Sequence, residues 1–483
     1  MSVYLDHAST SPMSMAALEA FCEQSRKTGN ASSLHAPGRA ARRVVEEARE
    51  SLAHSLDARP SEVIFTSGGT EADNLAIKGM FWGRRAQKPG CNRVLISSIE
   101  HHAVMDPAFW LAEYEGASIV QLSVDSTGVV DLGALAEELA AHKDSIALVS
   151  VMWANNEVGT IEPVREVARL AHRYGVPFHT DAVQAVGQIP VSFAQSGADA
   201  LTLTGHKLGG PVGVGALLAT RDLAIEAVQH GGGQERGIRS GTLDTPGIRA
   251  FAVAVAEAVA NQEAHAARMA SLRDQLIAGI RAAVPDAILR GPEPARAGVS
   301  TVGAVAPGST ARELAAEPSS TARVVAVAPG STAREMAAEP NHALPVILRG
   351  GHGPESQNLA DANTGRLSQH REVRRSKPPV PDPAITRIPG NVHFTFPGCE
   401  GDSLIYLLDA AGIAASTGSA CTAGIPQPSH VLLAMGVPED EARGALRFTL
   451  GEATTESDVT AVIQAIPAIV ERARLAGLAG SRQ

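Results

Sequence analysis

The chain has 483 residues, 44% of them hydrophobic, and a formal net charge of −10. This length allows two or more domains with a large core. The acidic balance argues against nucleic acid as a direct partner. The four cysteines are widely separated and form no CxxC pair, which excludes a disulfide framework and any obvious zinc site. We therefore expect no metal centre.

The beginning of the sequence carries no targeting signal. Met1–Thr10 has neither a basic segment nor an apolar one, and both are needed in a secretory peptide. No apolar run approaches the roughly 18 residues of a membrane span. These observations predict a cytoplasmic protein with no membrane partner.

Short apolar runs alternate with helix-like segments between about residues 60 and 220. This alternation predicts a mainly parallel sheet covered by helices on both faces. One of the intervening helices is predicted over 163–173. The predicted strands are 62–66, 93–97, 118–122, 146–151, 176–179 and 200–203.

Polar clusters follow these runs closely along the chain. Ligands of parallel sheets bind outside the carboxyl ends of the strands, so we expect the clusters to converge at one edge of the sheet. They are 67–70, 101–102, 155–157, 181–184 and 206–207.

The second half of the chain changes character twice. Residues 251–284 are alanine-rich and read as a long helix, and a strand-like pattern resumes near 388–396. Between them, the segment 305–318 recurs at 327–340 with a period of 22 residues. Two copies are too few for a solenoid. We interpret residues 292–386 as a largely disordered insertion, with a docking arm for a partner as the alternative.

The predicted domains follow from these changes in pattern. An N-terminal segment joins the small domain, a large domain follows, a helix connects it to the insertion, and the C-terminal part completes the small domain. Their boundaries are 1–15, 16–250, 251–291, 292–386 and 387–483.

Lys207 is one of only six lysines in the chain, and it follows a predicted strand. Asp181 stands at the end of another apolar run, with Gln184 three residues later. A lysine able to form a Schiff base, with an acid placed to pair with a pyridinium nitrogen, is what a pyridoxal phosphate enzyme requires. The glutamine would donate to the phenolic oxygen. Asp181 alone could equally be a helix cap.

Two glycine-rich segments are candidates for anion binding. Thr66–Ile77 reads as strand, glycine turn and helix, and the backbone N–H groups at such a helix start attract anions. An ordinary capped turn is the alternative. Gly231–Thr242 could form a second anion-binding loop or a flexible loop.

Four other residues have a chemical and a structural interpretation. His101 could stack on a planar cofactor and shuttle protons, or be structural, and Asn156 could belong to a turn. Cys421 lies among small residues, which suits a mobile nucleophile, although a buried inert thiol is equally compatible. Arg447, inside a strand-like run, would meet a carboxylate or form a structural ion pair.

Taken together, these segments resemble the NifS/IscS-like cysteine desulfurases, in the class V branch of the fold-type I pyridoxal phosphate enzymes. The resemblance covers nearly everything except the insertion. It implies an α/β fold in which a large domain has a mainly parallel seven-stranded sheet flanked by helices, and a small C-terminal domain is α+β. The matching stretches include 4–10, 29–35, 66–77, 100–104, 155–159, 181–184, 205–207, 231–242, 419–421 and 447–450.

The resemblance also implies a role for each matching residue. Lys207 forms the Schiff base with pyridoxal 5′-phosphate and moves protons, and Cys421 attacks the substrate sulfur. Asp181 pairs with the ring nitrogen, Gln184 bonds the phenolic oxygen and His101 stacks over the ring. The phosphate is held by Gly69, Thr70, Thr204 and His206, and by Thr242 from the other subunit of a homodimer. Asn156 and Arg447 orient the substrate, with Arg447 on its carboxylate.

The activity implied is conversion of L-cysteine to L-alanine, with the sulfur held as a persulfide on Cys421. An acceptor such as an iron–sulfur scaffold protein or a tRNA thiolase would take the sulfur. Selenocysteine lyase, an aminotransferase of the same fold and a non-catalytic scaffold are the alternatives. The chain departs from the family in having Thr204 where serine is common, Val212 where lysine is frequent, and a large insertion.

Overall fold

The computed structural model describes residues 3–294, 387–418 and 427–480. Most of the predicted insertion and the segment containing Cys421 therefore lie outside the described residues. The strands are β1 (Val3–Tyr4), β2 (Val63–Thr66), β3 (Arg93–Ser97), β4 (Ser118–Leu122), β5 (Ile146–Ser150), β6 (Phe178–Asp181), β7 (Ala200–Thr204), β8 (Gly215–Ala219), β9 (Ile288–Leu289), β10 (Asn391–Thr395), β11 (Ile413–Ala414) and β12 (Ala445–Thr449).

Helices separate most of these strands. They are α1 (Met15–Ser25), α2 (Ala36–Ser55), α3 (Gly69–Gln87), α4 (His102–Glu115), α5 (Leu132–His142), α6 (Val164–Arg173), α7 (Phe193–Ser196), α8 (Thr245–Ala260), α9 (Gln262–Ala283), α10 (Gly401–Ala410), α11 (His430–Ala434), α12 (Glu439–Ala442) and α13 (Glu456–Gly480).

The main sheet has seven strands in the order β2-β8-β7-β6-β5-β3-β4. Its strands are parallel except for β8, which is antiparallel to both β2 and β7. The predicted α/β class with a mainly parallel sheet is thus confirmed. The sequence analysis did not predict β8, because its Gly-Ala-Leu-Leu-Ala run directly continues a glycine-rich turn.

Helices cover both faces of this sheet because the strands bury side chains on both sides. Phe65 packs into a core with residues of α2, α6 and α8, such as Leu52 and Val167. Its neighbour Ile64 points to the opposite face and packs with residues of α3 and α4, such as Leu75. Alternate residues of one strand therefore anchor helices on opposite faces.

A second, antiparallel sheet has the order β12-β10-β9. Its apolar residues pack with α9, α10 and α13 in a separate core. Val3 and Leu5 of the N-terminal segment belong to this core, and β1 pairs with β11. The predicted link between the N-terminal segment and the C-terminal region is thus compatible with the packing, whereas the domain boundaries stay predictions.

The single long helix predicted over 251–284 is wrong. Two helices, α8 and α9, meet at Asn261, whose backbone leaves the helical region at φ −96° and ψ 0°. Asparagine is a poor residue inside a helix because its side chain competes for backbone hydrogen bonds. The alanine-rich pattern on both sides concealed this break.

Candidate active site

A cavity of about 360 Å³ lies at the carboxyl edge of the main sheet. The polar segments that follow β2, β3, β5, β6 and β7 meet there, as expected for parallel strands. The C-terminal region closes the cavity with Ser416, Gly418, His430 and Arg447. Its lining contains ten predicted residues: Gly69, Thr70, His101, Asn156, Asp181, Gln184, Thr204, His206, Lys207 and Arg447.

Lys207 stands in the turn after β7 and reaches the interior of the cavity. Burial lowers the pKa of its amine to about 8, because a buried ammonium group loses hydration. Asp181 opposes this shift, while the positive charge of Arg447 adds to it. A larger fraction of this amine is therefore unprotonated near neutral pH than for an exposed lysine.

Asp181 ends β6, where its Oδ1 atom accepts a hydrogen bond of 2.8 Å from the Val183 backbone N–H. This bond is the local capping interaction anticipated as an alternative, and it coexists with a position on the cavity wall. Burial raises the pKa of the carboxyl group, and the neighbouring Lys207 counteracts the effect. Gln184 lies nearby and donates from Nε2 to the Ala8 carbonyl at 3.0 Å.

His101 is the N-cap of α4, and its Nδ1 atom accepts the Ala103 backbone N–H at 3.1 Å. Burial and the nearby Lys207 lower the pKa of the ring to about 4. The imidazole is therefore neutral at neutral pH, with its proton on Nε2. Its structural role as a cap thus fixes the tautomer that it presents to the cavity.

The start of α3 lines the cavity together with Thr204 and His206 and is the candidate anion-binding cradle. Gly68 precedes the helix at φ 149°, and no side chain caps its backbone N–H groups. A Cβ atom on Gly69 would lie 3.1 Å from a Val183 methyl group and 3.7 Å from the Thr204 side chain, so a larger residue would crowd the cradle. A helix start with unpaired N–H groups favours a phosphate.

Arg447 on β12 supplies a buried cation at the opposite wall. Its Nη1 atom donates to the Asn156 carbonyl at 2.9 Å, and its Nη2 atom donates to Asp6 at 2.9 Å and to Ser9 at 3.1 Å. Its Nε atom has no hydrogen-bond partner among the described residues. The free donor suits a carboxylate oxygen of a ligand.

The glycine-rich segment 231–242 is held by two ion pairs. Arg239 binds Glu71 of α3 through two hydrogen bonds of 2.7 and 3.2 Å. Arg49 likewise binds Glu235 at 2.8 and 2.6 Å. Arg239 thereby neutralises an acid in the first turn of the helix that would hold a phosphate.

Two predicted residues are outside the cavity lining. Thr242 is exposed in the single chain, so that its contact with the other subunit's phosphate stays a prediction. Cys421 lies outside the described residues.

Among the residues that the structure describes, no group of three or more His, Cys, Asp or Glu side chains could hold a metal ion, and no helix could cross a membrane.

Sequence reasoning assigned no role to several residues of the cavity, although it placed Glu157 and His102 in polar clusters expected at this edge of the sheet. Asp73 lies four residues after Gly69, on the same face of α3, and that spacing was a usable signal. Glu157 lies beside the two asparagines, of which Asn155 builds the anticipated turn by accepting the N–H groups of Glu157 and Val158. His102 and His430, whose ring centroids are 5.4 Å apart, could be associated only through the fold.

The residues present fit pyridoxal phosphate. An open helix start with hydroxyl groups matches its phosphate, a buried acid at another wall matches its ring nitrogen, and an amine lies in the same cavity for its aldehyde. The buried Oδ1 atom of Asp73 and the Nε atom of Arg447, both without partners among the described residues, are also groups that a bound polar molecule would satisfy.

The family described as class-V aminotransferases matches residues 3–335 and 354–462 of the chain. The IscS-like cysteine desulfurase of Mycobacterium tuberculosis is 45% identical over 478 residues, covering 99% of this chain and 98% of the relative. The cysteine desulfurase IscS of Dictyoglomus turgidum is 34% identical, covering 98% and 95%.

Solved structures agree with these sequence matches. A NifS-like protein superposes with a TM-score of 0.72 at 28% identity, covering 98% of this chain and 99% of that one. The NifS-like protein of Rickettsia africae superposes with a TM-score of 0.70 at 25% identity, covering 98% and 100%. The chain therefore belongs to the class-V aminotransferase family and, within it, to the cysteine desulfurases of the IscS and NifS type.

Proposed function

We propose that the protein is a pyridoxal phosphate-dependent cysteine desulfurase that converts L-cysteine to L-alanine and retains the sulfur as a persulfide on Cys421. The observation that carries the proposal is the single cavity in which Lys207, Asp181, His101 and Arg447 meet. The full-length similarity to cysteine desulfurases supports it independently.

The proposed roles follow from the surroundings of each group. Lys207 captures the cofactor aldehyde and then acts as the base that moves the substrate's α-proton, for which a pKa of about 8 is suitable. Asp181 supplies the negative charge opposite the ring nitrogen, and Gln184 donates to the phenolic oxygen. When bound, the cofactor supplies a protonated ring that accepts the electrons released at the substrate's α-carbon.

The remaining residues hold the two ligands. Gly69, Thr70, Thr204 and His206 hold the phosphate. His101 stacks on the ring as a neutral imidazole. Asn156 orients the substrate, and Arg447 binds its carboxylate with the Nε donor that has no partner among the described residues.

The sulfur transfer balances without an external oxidant. The Cys421 thiolate attacks the substrate sulfur, and the carbon–sulfur bond breaks with its electron pair left on the organic fragment. Protonation of that fragment yields alanine. The sulfur stays on Cys421 as a persulfide, which a thiol of an acceptor protein then removes.

The proposal includes a homodimer, in which Thr242 reaches the phosphate of the other subunit, and a cytoplasmic location. The proposed acceptor is an iron–sulfur scaffold protein or a tRNA thiolase. These points rest on the family, and the exposure of Thr242 in the single chain is compatible with a contact across an interface.

The decisive experiment measures alanine and sulfide released from L-cysteine, with a reductant, by cofactor-loaded protein. We expect turnover by the wild type and loss of turnover in C421A. C22A is the matched control, because Cys22 is exposed on α1 and should leave the rate unchanged.

Each alternative has its own outcome in this assay. A keto acid product would indicate an aminotransferase, and turnover of selenocysteine that does not need Cys421, without turnover of cysteine, would indicate a selenocysteine lyase. Bound cofactor with no turnover of any of these substrates would contradict the proposal and favour a non-catalytic scaffold.

A further inference from the structure

Asp73 is a second carboxyl group in the cavity, and the proposed mechanism does not use it. It lies in the second turn of α3, is 1% exposed and lines the same cavity as Asp181. Its Oδ1 atom is buried and has no hydrogen-bond partner among the described residues. A buried carboxyl oxygen without a partner is costly, so a functional explanation is needed.

The positive charge of Lys207 acts on Asp73, but it lowers the pKa of this carboxyl group less than burial and the charge of Asp181 raise it. The Nε2 atom of His179 lies 3.6 Å from Oδ1, which is too far for a hydrogen bond. The ring of His179 is fully buried between the hydroxyl groups of Ser150 and Thr202, at 2.9 and 3.1 Å. Burial lowers the pKa of this histidine to about 3, so the ring stays neutral beside Asp73.

Asp73 and Asp181 are unequal in their hydrogen bonds. Asp181 accepts the Val183 backbone N–H, which stabilises a negative charge. Burial and the charges of Asp181 and Glu100 raise the pKa of Asp73 well above the ordinary range, while the Thr202 hydroxyl group and the charge of Lys207 oppose this shift. Since two negative charges in one buried site repel each other, the better-bonded group keeps the charge and the other takes the proton.

We propose that Asp73 is a positioning residue whose carboxyl group stays protonated, so that the floor of the cavity carries a single negative charge, on Asp181, opposite the cofactor's ring nitrogen. This inference rests on the proposed function. The carboxyl group of Asp73 then contributes a hydrogen-bond donor instead of a second repelling charge.

The protonation of Asp73 can be measured without cofactor or turnover. We expect an infrared difference spectrum of apoprotein, wild type minus D73N at neutral pH, to show the carbonyl band of a protonated carboxyl group. D144N is the matched control, because the side chain of Asp144 is 81% exposed and its spectrum should show an ionised carboxylate. A carboxylate band in the D73N difference spectrum would overturn the proposal.

The positioning role has a spectroscopic readout in the loaded protein. The visible absorbance of bound pyridoxal phosphate, titrated against pH, should have the same midpoint in D73N and in wild type to within about 0.3 pH unit. D73V, which has no polar atom, should bind the cofactor about tenfold more weakly. A midpoint displaced by about one unit or more in D73N, or wild-type affinity in D73V, would contradict the role.

These outcomes separate the two proposals. Failure of the wild type to bind pyridoxal phosphate would overturn the proposed function together with the positioning role. An ionised Asp73 in a protein that does bind the cofactor and release alanine would overturn only the inference about Asp73.

Discussion

The floor and the far wall of the cavity bury charges of opposite sign. The floor, at the edge of the main sheet, contains the acids Asp73 and Asp181, Glu100 is buried behind the lining, and burial raises the pKa of each of these three acids. The wall, formed by the antiparallel sheet, contains Arg447 and His393 in directly paired positions. Burial and the nearby arginines lower the pKa of His393 to about 3.

Each region buries one charge: that of Asp181 in the floor, and in the wall that of Arg447, whose Nε atom has no hydrogen-bond partner among the described residues. A ligand that is cationic at one end and carries a carboxylate at the other would relieve both. An amino acid joined to a protonated pyridine ring has this distribution of charge. The contrast therefore indicates that stability has been given up at the site in favour of binding.

The largest effect should come from breaking a buried pair in which the opposite charges are in contact. Arg49 and Glu235 bond each other, and Glu235 also accepts the Phe65 backbone N–H at 2.8 Å. R49M leaves Glu235 buried without a cation, so we expect a loss of about 3–5 kcal/mol in the free energy of unfolding. Urea denaturation measures it.

The double variant R49M/E235Q is the control for this pair. It removes both charges and keeps an acceptor for the Phe65 N–H, so most of the lost stability should return. A double variant as unstable as R49M would show that packing, and not charge, explains the loss.

Removing the cation of the wall should impair the use of substrate. R447A deletes the donor for the substrate carboxylate and removes the cation that pairs with Asp6. We expect kcat/KM for L-cysteine to fall at least about 30-fold, which corresponds to a loss of about 2–5 kcal/mol in transition-state stabilisation. R443A is the matched control, because Arg443 is 40% exposed and pairs with Glu439. Similar losses in both variants would contradict the assignment.

The pKa of Lys207 depends on the charges of both the floor and the wall of the cavity. Covalent capture of pyridoxal phosphate by apoprotein, followed by visible absorbance, should have its midpoint near pH 8, and K207A should show no capture. D181N removes the charge that raises this pKa, so the midpoint should fall. R447Q removes a charge that lowers it, so the midpoint should rise. Midpoints that shift in the same direction in D181N and R447Q would contradict the opposite charges assigned to the floor and the wall.

The last prediction concerns Glu162, a buried acid away from the cavity lining. Burial raises its pKa to about 8, so the folded state holds a proton that the unfolded state releases above about pH 4.5. The stability that the protonated Glu162 carboxyl group contributes to the folded state is fully present below about pH 4.5 and is lost as the pH rises through 8.

The E162Q variant tests this dependence directly. It should flatten the decline of unfolding free energy between pH 4.5 and 8, by up to about 1.4 kcal/mol per pH unit. The control is E47Q, since Glu47 is exposed and its substitution should leave the slope unchanged. An unaltered slope in E162Q would mean that Glu162 is ionised in the folded protein.

The sequence alone was sufficient for most of the main sheet. Its strands are short apolar runs between helical patterns, and 93–97 and 118–122 coincide with β3 and β4. The strand β8 was missed because its apolar run directly continues a glycine-rich turn, and hydrophobic periodicity says nothing about its antiparallel direction. An alanine-rich pattern also gives no sign of a local break, so the interruption of the helix at Asn261 was not predicted.

The same division applies to the candidate site. Local order along the chain determined which residues follow the strands, and a parallel sheet necessarily brings such residues to one edge. Lys207, Asp181 and His101 could therefore be predicted as neighbours from their positions in the sequence. Only the tertiary structure decided that Asp73 lies close enough to Asp181 for their charges to interact, and that Arg447 meets Asp6 across 441 residues of sequence. Such pairings depend on how buried surfaces pack and on which charges are left without water, and neither is encoded in local spacing.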